Sequence, residues 1–257
     1  QAKSGFAVSK KVFVRKPQSD ILVVNAVESQ FTRASIQSFY TTSLAAVTSK
    51  PFDILMATEV TLNNYTELSP DPFTQAQVFG FFSRIFWFSD NTEFSLGLLQ
   101  KSSSVFFSKG GRMLVISAAN DNLPPDPPYL DFTPIKSYLP VSGNDVFLMN
   151  SSDSLIPAQP GWPVLTTPNF QTGIRPFEIQ PDNPDYSFSV LYSGRILNEK
   201  NSVATRWTGT SSLIARRVRK SDNKTDFIVS VVPLHQFNGL SNFDQFMSRA
   251  VNTELEF

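Results

Sequence analysis

The sequence predicts an α/β domain built on a mostly parallel, doubly wound sheet, with helices on both faces and an added antiparallel portion towards the C-terminus. Three observations predict it. Phe82 to Ala119 reads strand, helix, Gly-Gly turn, strand: apolar runs at Arg84 to Ser89 and Arg112 to Ala118 flank a helical spacing of apolar residues from Glu93 to Lys109. A unit of that kind joins parallel strands by a right-handed crossover and requires helices over the sheet. Strand and helix patterns alternate before it, and from Phe177 onward strands follow one another across turn clusters.

In chain order, Gln1 to Lys16 carries Val8, Val12 and Val14 in the alternation of a half-buried strand. This stretch resembles the closing strand of a fibronectin type III module, and it reads equally as an edge strand of the domain itself. Residues 17–257 form the single α/β domain. Asp20 to Val27 is a continuous apolar run suited to a buried parallel strand. Thr32 is positioned to cap a helix through Thr48, with Ile36, Phe39, Tyr40, Leu44 and Val47 on one face. Phe52 to Val60 gives the second strand, and the helix Phe73 to Phe82 starts at Ser69-Pro-Asp-Pro. Long Pro-rich loops are expected over 120–176. Asn120 to Pro128, NDNLPPDPP, excludes helix and central strand, and Ser151 to Pro176 is a second loop. Between them Tyr129 to Tyr138 reads as one or two helical turns and Asp145 to Met149 as a short strand. Phe177 to Ile179, Tyr186 to Gly194, Ser212 to Lys220 and Asp226 to Leu234 are strands, the last two joined through Ser221 to Lys224. A helix from Asn242 to Thr253 closes the domain.

Composition narrows the function. Lysine plus arginine equals aspartate plus glutamate at 22 each, so no global field attracts nucleic acid. Charged residues are 17% of the chain against roughly a quarter in an average soluble domain, a surface suited to an extracellular, periplasmic or cell-surface protein. The start has no signal-peptide core, so the expectation is either a cytoplasmic chain or a piece of a longer exported one. No apolar run is long enough to cross a membrane. The absence of cysteine removes disulfides, thiolate metal sites and a cysteine nucleophile together. With one histidine as well, only carboxylate metal sites remain, of which a calcium ion in the loop of Asp121 and Asp126 is the one candidate; their spacing is unlike an EF-hand, and the expectation is no metal site and no cofactor. Arg216, Arg217, Arg219 and Lys220 are the one basic cluster, read as a solvated strand end.

Arg84 to Asp90, RIFWFSD, is a strand leading to a turn near the predicted pocket. Val105 to Ser117, VFFSKGGRMLVIS, is a helix end, a Gly-Gly turn and a strand, and Phe227 to Phe237, FIVSVVPLHQF, is a late strand followed by the closing helix. On these segments the chain resembles the class I glutamine amidotransferase-like domains, which are flavodoxin-like, and within them the divergent, non-glutaminase members of large bacterial exported proteins. The resemblance implies a catalytic cysteine on a glycine-flanked elbow after Met113 to Ser117. It also implies a histidine, with an acid two positions on, after Phe227 to Leu234. Here the elbow reads Ile116-Ser117-Ala118-Ala119-Asn120 and the late segment Leu234-His235-Gln236-Phe237. Glutaminase chemistry has lost its nucleophile and its acid.

In such sheets ligands bind beyond the carboxyl ends of the strands. The leading expectation is therefore a non-catalytic or degenerate domain of a larger exported protein, binding a ligand or protein partner at that edge. Ser89, Asp90, Asn120, Tyr129 and Trp162 are the candidate contacts, with Trp207 as a further aromatic. One alternative is a serine hydrolase using Ser117 and His235, with Glu59 or Asp90 orienting the imidazole. A second is a structural spacer without a pocket.

Overall fold

The computed structural model describes residues 16–57, 67–69, 71–119, 123–141, 146–150, 153–166, 172–200, 203–237 and 242–257. The strand expected within residues 1–16 lies outside the described residues, apart from Lys16. The first half alternates strictly: β1 (Ile21–Ala26), α1 (Arg33–Val47), β2 (Asp53–Met56), α2 (Pro72–Phe79), β3 (Arg84–Ser89), α3 (Thr92–Ser108) and β4 (Arg112–Ile116). Every residue of β1 and β4 is buried, Asn25 and Arg112 among their otherwise apolar runs, as expected of strands covered on both faces. Asp71 caps α2 by accepting from the Thr74 amide at 2.8 Å, with Pro72 at the first helical position. Asn91 caps α3 through the Phe94 amide. Thr32 stands at the start of α1, but its side chain makes no cap bond. Gly110, at φ +83°, takes the left-handed conformation that ends α3 and turns the chain into β4.

The second half differs from the expectation of long loops. After a 3-10 turn at Pro128–Leu130 come β5 (Ile135–Tyr138), β6 (Val146–Met149), β7 (Ser154–Pro157), β8 (Leu165–Thr166), β9 (Thr172–Ile174) and β10 (Phe177–Ile179). Tyr129 to Tyr138 thus holds one helical turn at its start, as expected, but ends in a strand, and short strands cross the segment read as loop. β11 (Tyr186–Gly194), β12 (Leu197–Lys200), β13 (Val203–Arg206), β14 (Ser212–Arg219) and β15 (Lys224–Ser230) follow, then α4 (Asn242–Ser248), continuing as a π-helical turn at Arg249–Glu254.

The main sheet has the order β2-β1-β3-β4-β15-β14-β11-β7-β8, with β10 beside β14 and β5 beside β10. Its first five strands are parallel and the rest antiparallel. A second sheet runs β13-β12-β6-β9. Alternation along β3 assigns the helices. Tyr40 of α1 packs on Phe86 and Phe88, with ring centroids 5.6 and 4.9 Å away, while Trp87 between them donates from Nε1 to Ser95 Oγ of α3 at 2.9 Å. Neighbouring residues of a strand face opposite ways, so α1 and α3 cover opposite faces. α4 packs beside α1, and α2 beside α3.

The basic cluster is tied into the antiparallel half, where a solvated strand end was expected. Arg217 is only 4% exposed. It donates from Nε and Nη2 to Asp226 and from Nη1 to the Phe132 carbonyl, and its guanidinium lies 4.2 Å from the Phe107 ring and 4.5 Å from Tyr186. Arg216 pairs with Glu254, Arg219 with Asp222, and Lys220 donates to the Asn183 carbonyl. Burial pushes the Asp226 carboxyl above its ordinary value despite the opposing pull of Arg217. The pair therefore holds the fold in place more by the cost of breaking it than by net gain. Glu256 takes φ +48° just past the π-helical turn, and its carboxylate accepts from Arg112 at 2.9 Å and Lys224 at 3.1 Å. Arg217→Ala should destabilise the protein by about 3–5 kcal/mol by leaving Asp226 buried and unpaired. The double change Arg217→Met with Asp226→Leu should recover most of that loss, and urea unfolding of the two variants checks both outcomes.

Candidate functional site

β1, β3, β4 and β15 end at one edge, where the chain continues as Val27 to Ser29, Asp90 to Asn91, Ala118 to Ala119 and Val231 to His235. Strand order reverses at β1, so a crevice is expected between the exits of β1 and β3. Asp90 fills that position. Its two carboxylate oxygens accept from the amides of Glu28 and Ser29 at 2.7 and 2.9 Å, and Asn91 Nδ2 donates to Glu28 Oε2 at 2.9 Å. Arg33 braces the same loop from α1, donating to the carbonyls of Val27 and Glu28. The crossover loop is thus held on both sides, and the next aromatic along it, Phe31, is 99% exposed.

Ser89 and Ser117 lie deeper. Ser89 Oγ accepts from Ser95 Oγ at 2.7 Å and donates to the Asn91 carbonyl at 3.0 Å. Ser117, fully buried, accepts from Thr92 Oγ1 at 2.9 Å and donates to the Ser230 carbonyl at 3.2 Å. These hydroxyls sew the start of α3 to β3, β4 and β15. A serine becomes a nucleophile when a neighbouring base can take its proton. The Ser117 proton is directed at a peptide carbonyl, which is no such base.

His235 lies in a 3-10 turn after β15 and faces α1. Its amide donates to the Tyr40 hydroxyl at 3.0 Å, and its Nδ1 is 3.3 Å from the same oxygen. The contact is satisfied when the phenol donates its proton to Nδ1 and the neutral imidazole carries its own proton on Nε2. Burial pushes the imidazole down to about 4, against a weaker opposite pull from Asp90, and pushes the Tyr40 phenol far up. Ser117 and His235 therefore sit at the ends of adjacent parallel strands, with each side chain committed to a different partner.

The aromatic contacts expected at this edge are core residues. Trp162 is buried against Tyr192 and Phe246, with centroids 5.8 and 5.4 Å away, and Tyr129 is buried as the middle residue of the 3-10 turn. Trp207 is half-buried on Phe147 and donates from Nε1 to the Thr210 carbonyl. Trp162 is folded back against β11 and Tyr129 against α3, which removes these two as exposed stacking surfaces. Asn120 and Glu59 lie outside the described residues. Sequence reasoning missed Phe31, although a lone aromatic in the polar stretch Glu28-Ser29-Gln30-Phe31-Thr32 between strand and helix was a readable signal. It also missed Thr92 and Tyr40, which decide what Ser117 and His235 do. Among the described residues no group of three acidic or histidine side chains is placed to hold a metal ion, and no helix is long and apolar enough to cross a membrane.

No family model matches the chain, and no curated protein or solved structure matches it.

Because the folded imidazole titrates near 4 and an unfolded one near 6.5, the unfolded state binds more protons between those values. Stability is unaffected by His235 above pH 6.5 and falls as the pH drops towards 4. Urea unfolding should show the wild type losing about 2 kcal/mol more than His235→Asn between pH 7 and pH 5.

Proposed function

We propose that this chain is a non-catalytic domain of a larger exported protein, doubly wound in the manner of the flavodoxin-like, glutamine amidotransferase-like domains, which docks a partner protein at the carboxyl edge of its sheet. The order β2-β1-β3-β4-β15, with helices packed on both faces, supports the architecture. The low proportion of charged residues suits an exported protein. Committed hydrogen bonds at Ser117 and His235 argue against catalysis.

One observation carries the binding reading. Phe31 is fully exposed on a loop whose backbone is fixed by the Asp90 carboxylate and the Arg33 guanidinium. A phenylalanine held out in water forgoes about 1.5–3 kcal/mol of burial, and a fixed loop loses little entropy when a partner supplies that burial. The polar rim made by Glu28, Asn91 and Arg33 around one aromatic anchor has the anatomy of a small protein interface.

With p-benzoylphenylalanine in place of Phe31, irradiation in an extract of the source organism should give one discrete cross-linked adduct. The same replacement at Phe73, exposed on α2, should not give it. Identical patterns from the two positions would overturn the reading. A fluorophosphonate probe should leave the protein unlabelled, whereas labelling abolished by Ser117→Ala would make the protein a serine hydrolase.

A further inference from the structure

A second concave surface lies away from the carboxyl edge, between the outer turns of α3 and the start of β11. It is a groove of about 310 Å3, whose apolar wall is made by Phe107, Phe132, Tyr186 and Phe188. The polar groups around it are Gln100, Ser104, Asp131 and Asn183. Its dimensions and its composition, aromatic with a few polar groups, are those of a small-molecule site.

The commitments of the lining groups select the ligand. Arg217 at the base gives Nε and Nη2 to Asp226 and Nη1 to a carbonyl, and its guanidinium lies against the rings of Phe107 and Tyr186. Its charge is neutralised and its position against the rings is filled, so an anion finds no free cation there, and a ligand cation would meet a guanidinium already seated on the rings. Around the rim, however, polar atoms are uncommitted among the described residues. Gln100 uses Nε2 on the Pro128 carbonyl and keeps Oε1. Asn183 uses Oδ1 on the amides of Asp185 and Tyr186 and keeps Nδ2. The exposed carboxylate of Asp131 and the Ser104 hydroxyl make no hydrogen bond within the described structure. In the α3 wall the enclosed Ser103 hydroxyl also has no partner. A purely apolar ligand would desolvate these groups without return. The remaining chemistry is a ligand with an apolar C–H face for the rings and several neutral hydroxyls for a carboxylate, an amide oxygen and an amide N–H.

We propose that this groove binds a neutral saccharide, its ring face against Phe188 and its hydroxyls on Asp131, Gln100 and Asn183. The site is independent of the partner surface at Phe31. A groove of this size takes one or two sugar rings, so a chain end or a short stretch of glycan is recognised.

The test is an array of neutral and anionic glycans read with the whole labelled chain, followed by saturation-transfer NMR with the best free neutral di- or trisaccharide. Binding should weaken at least ten-fold in Asp131→Ala, which removes an exposed side chain without a protein partner, and vanish in Ser104→Trp, which fills the groove from the surface of α3. Phe73→Ser should bind as the wild type does, and the melting temperatures of all three should confirm that they are folded. An array with no neutral glycan bound, or binding indifferent to both groove variants, would overturn the proposal. Binding confined to anionic glycans would overturn it too.

Discussion

The parallel pairing of β15 with β4, Phe227 to Ser230 against Met113 to Ile116, is the constraint on which the rest of the molecule depends. It places a late strand at the centre of the sheet and ends the parallel half. β14 then returns beside β15 in the opposite sense, so Arg217 comes to lie over Asp226 and under the aromatic rings of α3 and β11. The same pairing brings the Ser230 carbonyl to the Ser117 hydroxyl and sends the chain to His235 beside α1. Fold and candidate chemistry therefore share one strand boundary.

At that boundary the molecule uses hydroxyls as fasteners. Thr92, Ser117, Ser89 and Ser95 bind each other and nearby carbonyls in the seam where α3 leaves β3. Each of these four hydroxyls is satisfied, which burial demands, and a hydroxyl committed in this way has no base to activate it. The apolar setting that holds His235 neutral likewise gives it a tyrosine as its neighbour and no carboxylate in hydrogen-bond contact. What the described part of the edge offers outward is shape and the exposed ring of Phe31.

Much of the architecture was legible because burial on both faces leaves an unbroken apolar run. β1, β3 and β4 were readable for that reason, as were α1 from its spacing and the β14–β15 hairpin from its turn. The antiparallel middle was harder. β7, β8 and β9 are two to four residues long, too short to show a period, and prolines around them read as loop. The β12–β13 hairpin has a polar sequence because β13 is exposed along its whole length. Residue type does not tell an aromatic that covers the core from one that faces a ligand, so Tyr129 and Trp162 read as candidate contacts, and packing buries both. The arginines of β14 failed in the opposite direction: a run of cations suggests solvent, and only the register that sets Arg217 beside Asp226 reveals a buried pair. For the candidate site, the strand ends were readable, but the hydrogen-bond partners that fix their chemistry come from other elements.

The central position of β15 has a consequence in time. Ser117 and Ser230 are 113 positions apart, and β4 has only β3 as a neighbour until β15 has been made. At roughly 5–20 residues per second of synthesis, the interval is on the order of 6 to 23 s. Throughout it the apolar strand Arg112–Ile116 has an unpaired edge of the kind that recruits other chains. The strand order that makes the finished sheet continuous thus leaves its centre open longest while the chain is being born.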